Sequence, residues 1–272
     1  QIPSIDKPKY ITVSEATSLA PTEPVVGLTI DGKSRAYPLS VLIWHEIVND
    51  VLAGVPVAVT FCPLCNAAVV FDRRVNGQTL EFGTTGKLRF SDLVMYDRQS
   101  ESWWQQFTGE AIVGSRTGET LRFLPARLES FAKFRVRAPK GEVLVPTNPN
   151  MRRYGMNPYG GYDSAHTPFL YRGKMPEVVA PLARVVAVGD RAWSVDFLQI
   201  KQRIETKDGL ILTWEKGQNS ALDSRVIAEG RDVGNVLVQR RNGDGKLVDA
   251  QYRVDFAFAF YAFNPQAKIV VE

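Results

Sequence analysis

Two cysteines and two histidines are all that the 272 residues hold. So few cysteines exclude a disulfide-rich scaffold. So few histidines leave little to build Ser-His-Asp catalysis from. No apolar run approaches the roughly 18 residues that suggest a membrane-spanning helix. Charge of one sign is not in large excess: 33 basic residues face 29 acidic ones, for a net +4 at neutral pH. The basic residues are scattered, with pairs at Arg73-Arg74, Arg152-Arg153 and Arg240-Arg241, which argues for a solvated surface and against nucleic-acid binding. Also missing are a glycine-rich phosphate loop, a G-x-S-x-G elbow, an H-E-x-x-H pair, a low-complexity linker and any internal repeat clear enough to use. The first residue is Gln1, which fits a processed precursor or a trimmed chain.

What is present reads mostly as strands and tight turns. Asp-Gly or Asn-Gly pairs flanked by apolar runs make hairpins of VVGLTIDGKSRAYPL, AAVVFDRRVNGQTLEF and IETKDGLILTWE. The alternation in LVDAQYRVDFAFAFYAF predicts a half-buried C-terminal strand. Helices are expected over Val41–Asn49, capped by Ser40, and over Ser102–Phe107. The fold expectation is therefore mainly β with a few short helices, built of antiparallel hairpins, sandwich- or barrel-like. One domain is expected over 1–272, with room for two β lobes at about 20–145 and 177–272. Between them, residues 146–176 are rich in Pro, Gly, Asn and Tyr. A stretch this long inside a compact domain is usually functional or disordered, and its tyrosines favour an ordered wall or lid.

Both cysteines fall in VPVAVTFCPLCNAAVVFDRRV, as Cys62 and Cys65. A thioredoxin-type pair opens a helix, whose dipole lowers the thiolate pKa. Here strands flank the turn on both sides, so that help is missing. A C-P-x-C turn between strands matches the knuckles of rubredoxin-like and zinc-ribbon sites, but those need four thiolates. Other ligands must then come from His, Asp, Glu, Met, water or another subunit. His45 is the first candidate, with Met95 and His166 as weaker ones. Two thiolates and an imidazole favour copper, with zinc as the alternative. An inert disulfide or two buried thiols remains the plain structural reading of the pair.

The strings WHEIVND, TFCPLC, LVMYDRQSESWWQQFTGEAIVG, GQNSALDSRVIAEGRDVG and VDFAFAFYAF occur in that order along the chain. Together they resemble the uncharacterised prokaryotic family called domain of unknown function 3179. The resemblance implies a role for His45 and Glu46, for Cys62 and Cys65, and for Ser91, Tyr96, Asp97, Arg98, Trp103 and Gln105. Of these, Glu46, Tyr96, Asp97, Arg98 and Gln105 are candidates to support the ligands. Members often carry Gly after the second cysteine, where this chain has Asn66. The resemblance also implies a periplasmic or otherwise extracytoplasmic location. The function expected is a metalloprotein that binds one thiophilic ion through Cys62, Cys65 and His45, for metal handling or redox chemistry. Its partner would be the metal ion, with a protein or small-molecule partner also open. A thiol–disulfide oxidoreductase and a non-catalytic binding module stapled by a disulfide are the competing expectations.

Overall fold

The computed structural model describes residues 2–272. Among the described residues, four α-helices of seven residues each, α1 (Leu39–His45), α2 (Phe131–Arg137), α3 (Val195–Lys201) and α4 (Ala257–Phe263), accompany a mainly β chain. The strands form five sheets of four or five strands, in an arrangement resembling a five-bladed propeller, plus a small ribbon at Arg74–Thr79. It is neither a single sandwich nor a closed barrel. No helix among the described residues is long and apolar enough to cross a membrane.

Sheet I runs Lys9–Thr12, Glu142–Val145, Lys33–Pro38, Pro24–Ile30, Ala126–Ser130, and sheet II runs Arg122–Phe123, Ala67–Asp72, Val55–Cys62, Ile47–Leu52. Sheet III, Ala111–Val113, Trp103–Gln105, Asp92–Asp97, Phe82–Arg89, is inserted between two strands of sheet II. Sheet IV (Ile269–Val270, Arg191–Ser194, Arg184–Val188, Arg253–Phe256) repeats four strands of sheet I, including a parallel outer pair. Sheet V (Leu247–Asp249, Asn235–Arg241, Leu210–Glu215, Arg203–Glu205) repeats sheet II.

The recurrence extends to the register. Val25 opposes Pro38, the residue before α1, as Val185 opposes Ser194 before α3. Glu46 ends α1 at φ 59° and Gln202 ends α3 at φ 61°. The carbonyl of Glu46 accepts from the Phe61 amide, and that of Gln202 from the Trp214 amide. Cys62 pairs with Ala67 as Glu215 pairs with Asn235, so the short turn 63–66 occupies the topological place of the long segment 216–234. One buried apolar cluster joins both units, from Val26 and Phe61 to Val186 and Phe256.

Three local expectations change. The helix expected to Asn49 stops at His45, and Ile47–Leu52 is a strand, because its β-branched residues pair with Val55–Thr60. The C-terminal alternation is strand only to Phe256. Ala257–Phe263 is helix, buried at Ala257, Phe258, Ala259 and Phe260. A segment buried on all sides loses its amphipathic period, so alternation there was a poor guide. Ser102–Phe107 is not helical: Trp103–Gln105 is a strand against Val94–Tyr96.

Candidate metal centre

The CPLC turn lies between strands Val55–Cys62 and Ala67–Asp72, as a single 3₁₀ turn over Pro63–Cys65. Asn66 closes it at φ 53°, ψ 23°. Glycine adopts this left-handed conformation freely, and Asn is among the few other residues that tolerate it. Its side-chain amide donates to the Val254 carbonyl at 2.8 Å, anchoring the turn to sheet IV.

Cys62 and Cys65 are free thiols, 2% and 0% exposed. The residue that joins them is Asp92: both sulfurs and one carboxylate oxygen lie within 4.8 Å of one another. Asp92 opens the strand Asp92–Asp97 of sheet III and is fully buried. Its Oδ2 accepts from Gln105 Nε2 at 2.6 Å and from the Phe107 amide at 2.9 Å. Its Oδ1 has no hydrogen-bond partner, an unusual state for a buried carboxyl oxygen.

The electrostatics are those of buried acids with little positive charge nearby. Burial pushes the Asp92 carboxyl up to about 7, against the pull of its Gln105 and Phe107 bonds. Burial likewise lifts Glu46 to about 7, with Asp92 adding to it. Asp255, aligned with Arg253 at 3.0 Å, is pushed up to about 6 by burial. Burial raises both thiols as well, Cys65 well above the ordinary range. Without a cation both thiols are therefore protonated near neutral pH, and Asp92 and Glu46 are about half so.

His45 stands apart from this group. Its Nδ1 donates to the Pro3 carbonyl at 2.7 Å, and its Nε2 accepts from the Tyr154 hydroxyl at 2.7 Å. A neutral ring protonated at Nδ1 satisfies both bonds, and burial lowers its pKa against the pull of the Pro3 bond. The tyrosine ring also stacks on the imidazole at 5.8 Å. The structure thus brings together Cys62, Cys65 and Asp92, not Cys62, Cys65 and His45.

The other candidates divide. Gln105 holds Asp92. Glu46, buried, shares its electrostatic neighbourhood. Asp97 instead accepts from Trp104 Nε1 at 2.8 Å and from Ser100, which ties a turn. Arg98 pairs with Asp6 and Glu81. The Tyr96 ring covers Gly83, where an added Cβ would come within 2.6 Å of it. Trp103 is half-buried, with Lys87 over its ring at 5.4 Å. Met95 is core, fully buried. His166 is exposed and lines a separate surface cavity of about 500 Å³ with Asp163 and Arg231.

Segment 146–176 walls the centre. Tyr154 caps His45, and the Tyr162 hydroxyl donates to the Leu64 carbonyl inside the CPLC turn at 2.9 Å. Ser91 Oγ donates to the Phe169 carbonyl at 2.7 Å, while Cys62 Sγ donates to the Ser91 carbonyl at 3.7 Å. The segment is itself anchored through Asp163, whose buried carboxylate accepts from Arg184, Arg231 and Ser220.

Asp92 was readable from sequence only as one residue on a strand face. Its approach to the cysteines depends on sheet III packing against sheet II, which no local pattern reveals. Among known families, the one described as protein of unknown function (DUF3179) matches residues 1–267. The chain belongs to this family. No curated protein and no solved structure matches it.

Proposed function

We propose that this DUF3179 protein binds one thiophilic metal ion through Cys62, Cys65 and Asp92, as an extracytoplasmic metal-handling or metal-dependent protein. The observation that carries the reading is the buried Asp92 carboxylate, which comes within 4.8 Å of two free thiols and has an unpartnered Oδ1. A cation would supply what the cluster lacks, and the three ligands would release their protons on binding. Two thiolates and a carboxylate suit zinc, which accepts both donor types. Copper, favoured when His45 was the third ligand, is less well served by a carboxylate. Charge points the same way: three anionic ligands leave one net negative charge around a divalent ion and two around Cu(I). Uncompensated buried charge is costly. With three protein ligands, a fourth position stays available for water or substrate. The extracytoplasmic location rests on the family resemblance alone.

Thiol–disulfide exchange is the weaker reading. The sulfurs are near enough to bond after a small rearrangement, but both thiols are buried with raised pKa values. Little attacking thiolate would form at neutral pH.

Elemental analysis of protein loaded with Zn(II) or Cu(I) tests the proposal. Wild type and His45→Ala should each hold one ion per chain, and Cys62→Ser/Cys65→Ser should hold none. Equal sub-stoichiometric metal in wild type and the double serine variant would sink it.

A further inference from the structure

Above the thiols, two loops meet that the metal reading does not use. Lys87–Phe90 ends one strand of sheet III, and Phe169–Lys174 belongs to the long segment 146–176. They are joined by the bond from Ser91 Oγ to the Phe169 carbonyl. Four large apolar side chains stand out from them: Leu88 and Phe90 at 41% exposed each, Phe169 at 58% and Leu170 at 64%. Elsewhere the most exposed apolar side chains, Val136 and Ile200, stand on different helices. Clustering of apolar groups, rather than single exposure, marks a contact surface.

The charges within these two loops are of one sign. Lys87, Arg89, Arg172 and Lys174 are all exposed, and none forms an ion pair among the described residues. Neither KLRF nor FLYRGK contains an acid. Arg89 lies over the rings of Phe90 and Phe263 at 4.9 and 5.8 Å, which fixes a cation among the aromatics. The backbone holds the apolar groups outward at a cost: Phe90, Ser91 and Leu170 have φ of 56°, 64° and 59°. Bulky residues rarely occupy this left-handed region, and such strain clusters at functional surfaces.

We propose that these two loop tips dock the protein on an anionic lipid surface. Protruding Phe and Leu side chains would enter the interfacial layer, while four unpaired cations would meet the lipid phosphates. The protein would lie on the bilayer rather than cross it. The thiol centre would then face the membrane through Ser91, whose carbonyl accepts from Cys62.

Vesicle co-sedimentation tests this with the full chain. The protein should pellet with vesicles containing phosphatidylglycerol and stay soluble with pure phosphatidylcholine. Binding should weaken as salt rises from about 0.1 M to 1 M, where the screening length shrinks to about 3 Å. Arg172→Glu/Lys174→Glu should lower binding by about tenfold or more. Phe169→Ser/Leu170→Ser should lower it while leaving its salt dependence in place. These side chains are exposed, so unchanged melting temperatures would confirm that the variants fold. No binding to the anionic vesicles at low salt, or equal binding to both vesicle types, would overturn the proposal, even if an acidic protein were later found on this face.

Discussion

At Asp92, one carboxylate oxygen is held by Gln105 and the Phe107 amide while the other makes no hydrogen bond. Asp92→Asn keeps the shape but removes the charge, and should lower zinc affinity at least about 100-fold in a competition assay with a colorimetric chelator. Gln105→Leu leaves Asp92 held by the Phe107 amide alone. Its expected loss is about 10–100-fold, the usual range for a residue that orients a metal ligand. Because burial raises both thiols and Asp92, calorimetry in buffers of different ionisation enthalpy should show about two to three protons released per ion at pH 7. His45→Ala should keep the metal but cost about 1–3 kcal/mol in urea unfolding, since the Pro3 carbonyl and Tyr154 hydroxyl lose their buried partner. The two cysteines were legible as a turn between strands because β-branched runs flank them. Asp92 was not legible as their companion, because thirty residues and a sheet boundary separate it in sequence from what it touches.

Among elements, the long segment 146–176 carries one buried ionic anchor, Asp163, beside its hydrogen bonds to His45, Leu64 and Ser91. Burial raises the Asp163 carboxyl, but Arg184, Ser220 and Arg231 together outweigh it and hold the group below its usual range. Asp163→Ala would leave Arg184, itself buried, without its counter-charge. The cost should be about 3–5 kcal/mol, accompanied by faster proteolysis within 146–176 than elsewhere. Equal cleavage rates in variant and wild type would show that other contacts hold the segment. Element type followed the sequence where an Asp-Gly turn divides two β-rich runs, as in VVGLTIDGKSRAYPL, whose hairpin forms as expected with Asp31 and Gly32 at φ 47° and 76°. It failed in VDFAFAFYAF, where burial on every side removes the period that separates strand from helix.

Across the whole molecule, the recurrence of sheets I and II in sheets IV and V was hidden from sequence. Insertion of sheet III within one unit and of residues 216–234 in the other destroys any fixed spacing. What recurs is register and backbone conformation, as at Glu46 and Gln202, rather than side-chain identity. The buried acids also set a stability profile for the whole chain. Glu46, Asp92 and Asp255 have pKa values raised by burial to about 7, 7 and 6. Each therefore favours folding below its unfolded value near 4, an advantage lost as pH rises through 6–7. Asp72, Asp163 and Asp249 are lowered in the fold and act oppositely, their contribution vanishing as pH falls below about 4. The metal-free protein should thus melt highest near pH 5 and lose several degrees by pH 8. Zinc should reverse the upper limb, stabilising more at pH 8 than at pH 5, because its ligands must be deprotonated.

X-ray absorption of the zinc-loaded protein tests the centre most directly. The expected shell has two sulfurs at about 2.3 Å with oxygen at about 2.0–2.2 Å, lost in Cys62→Ser/Cys65→Ser and unchanged in His45→Ala. A shell without sulfur, or one that survives the double serine substitution, would contradict it.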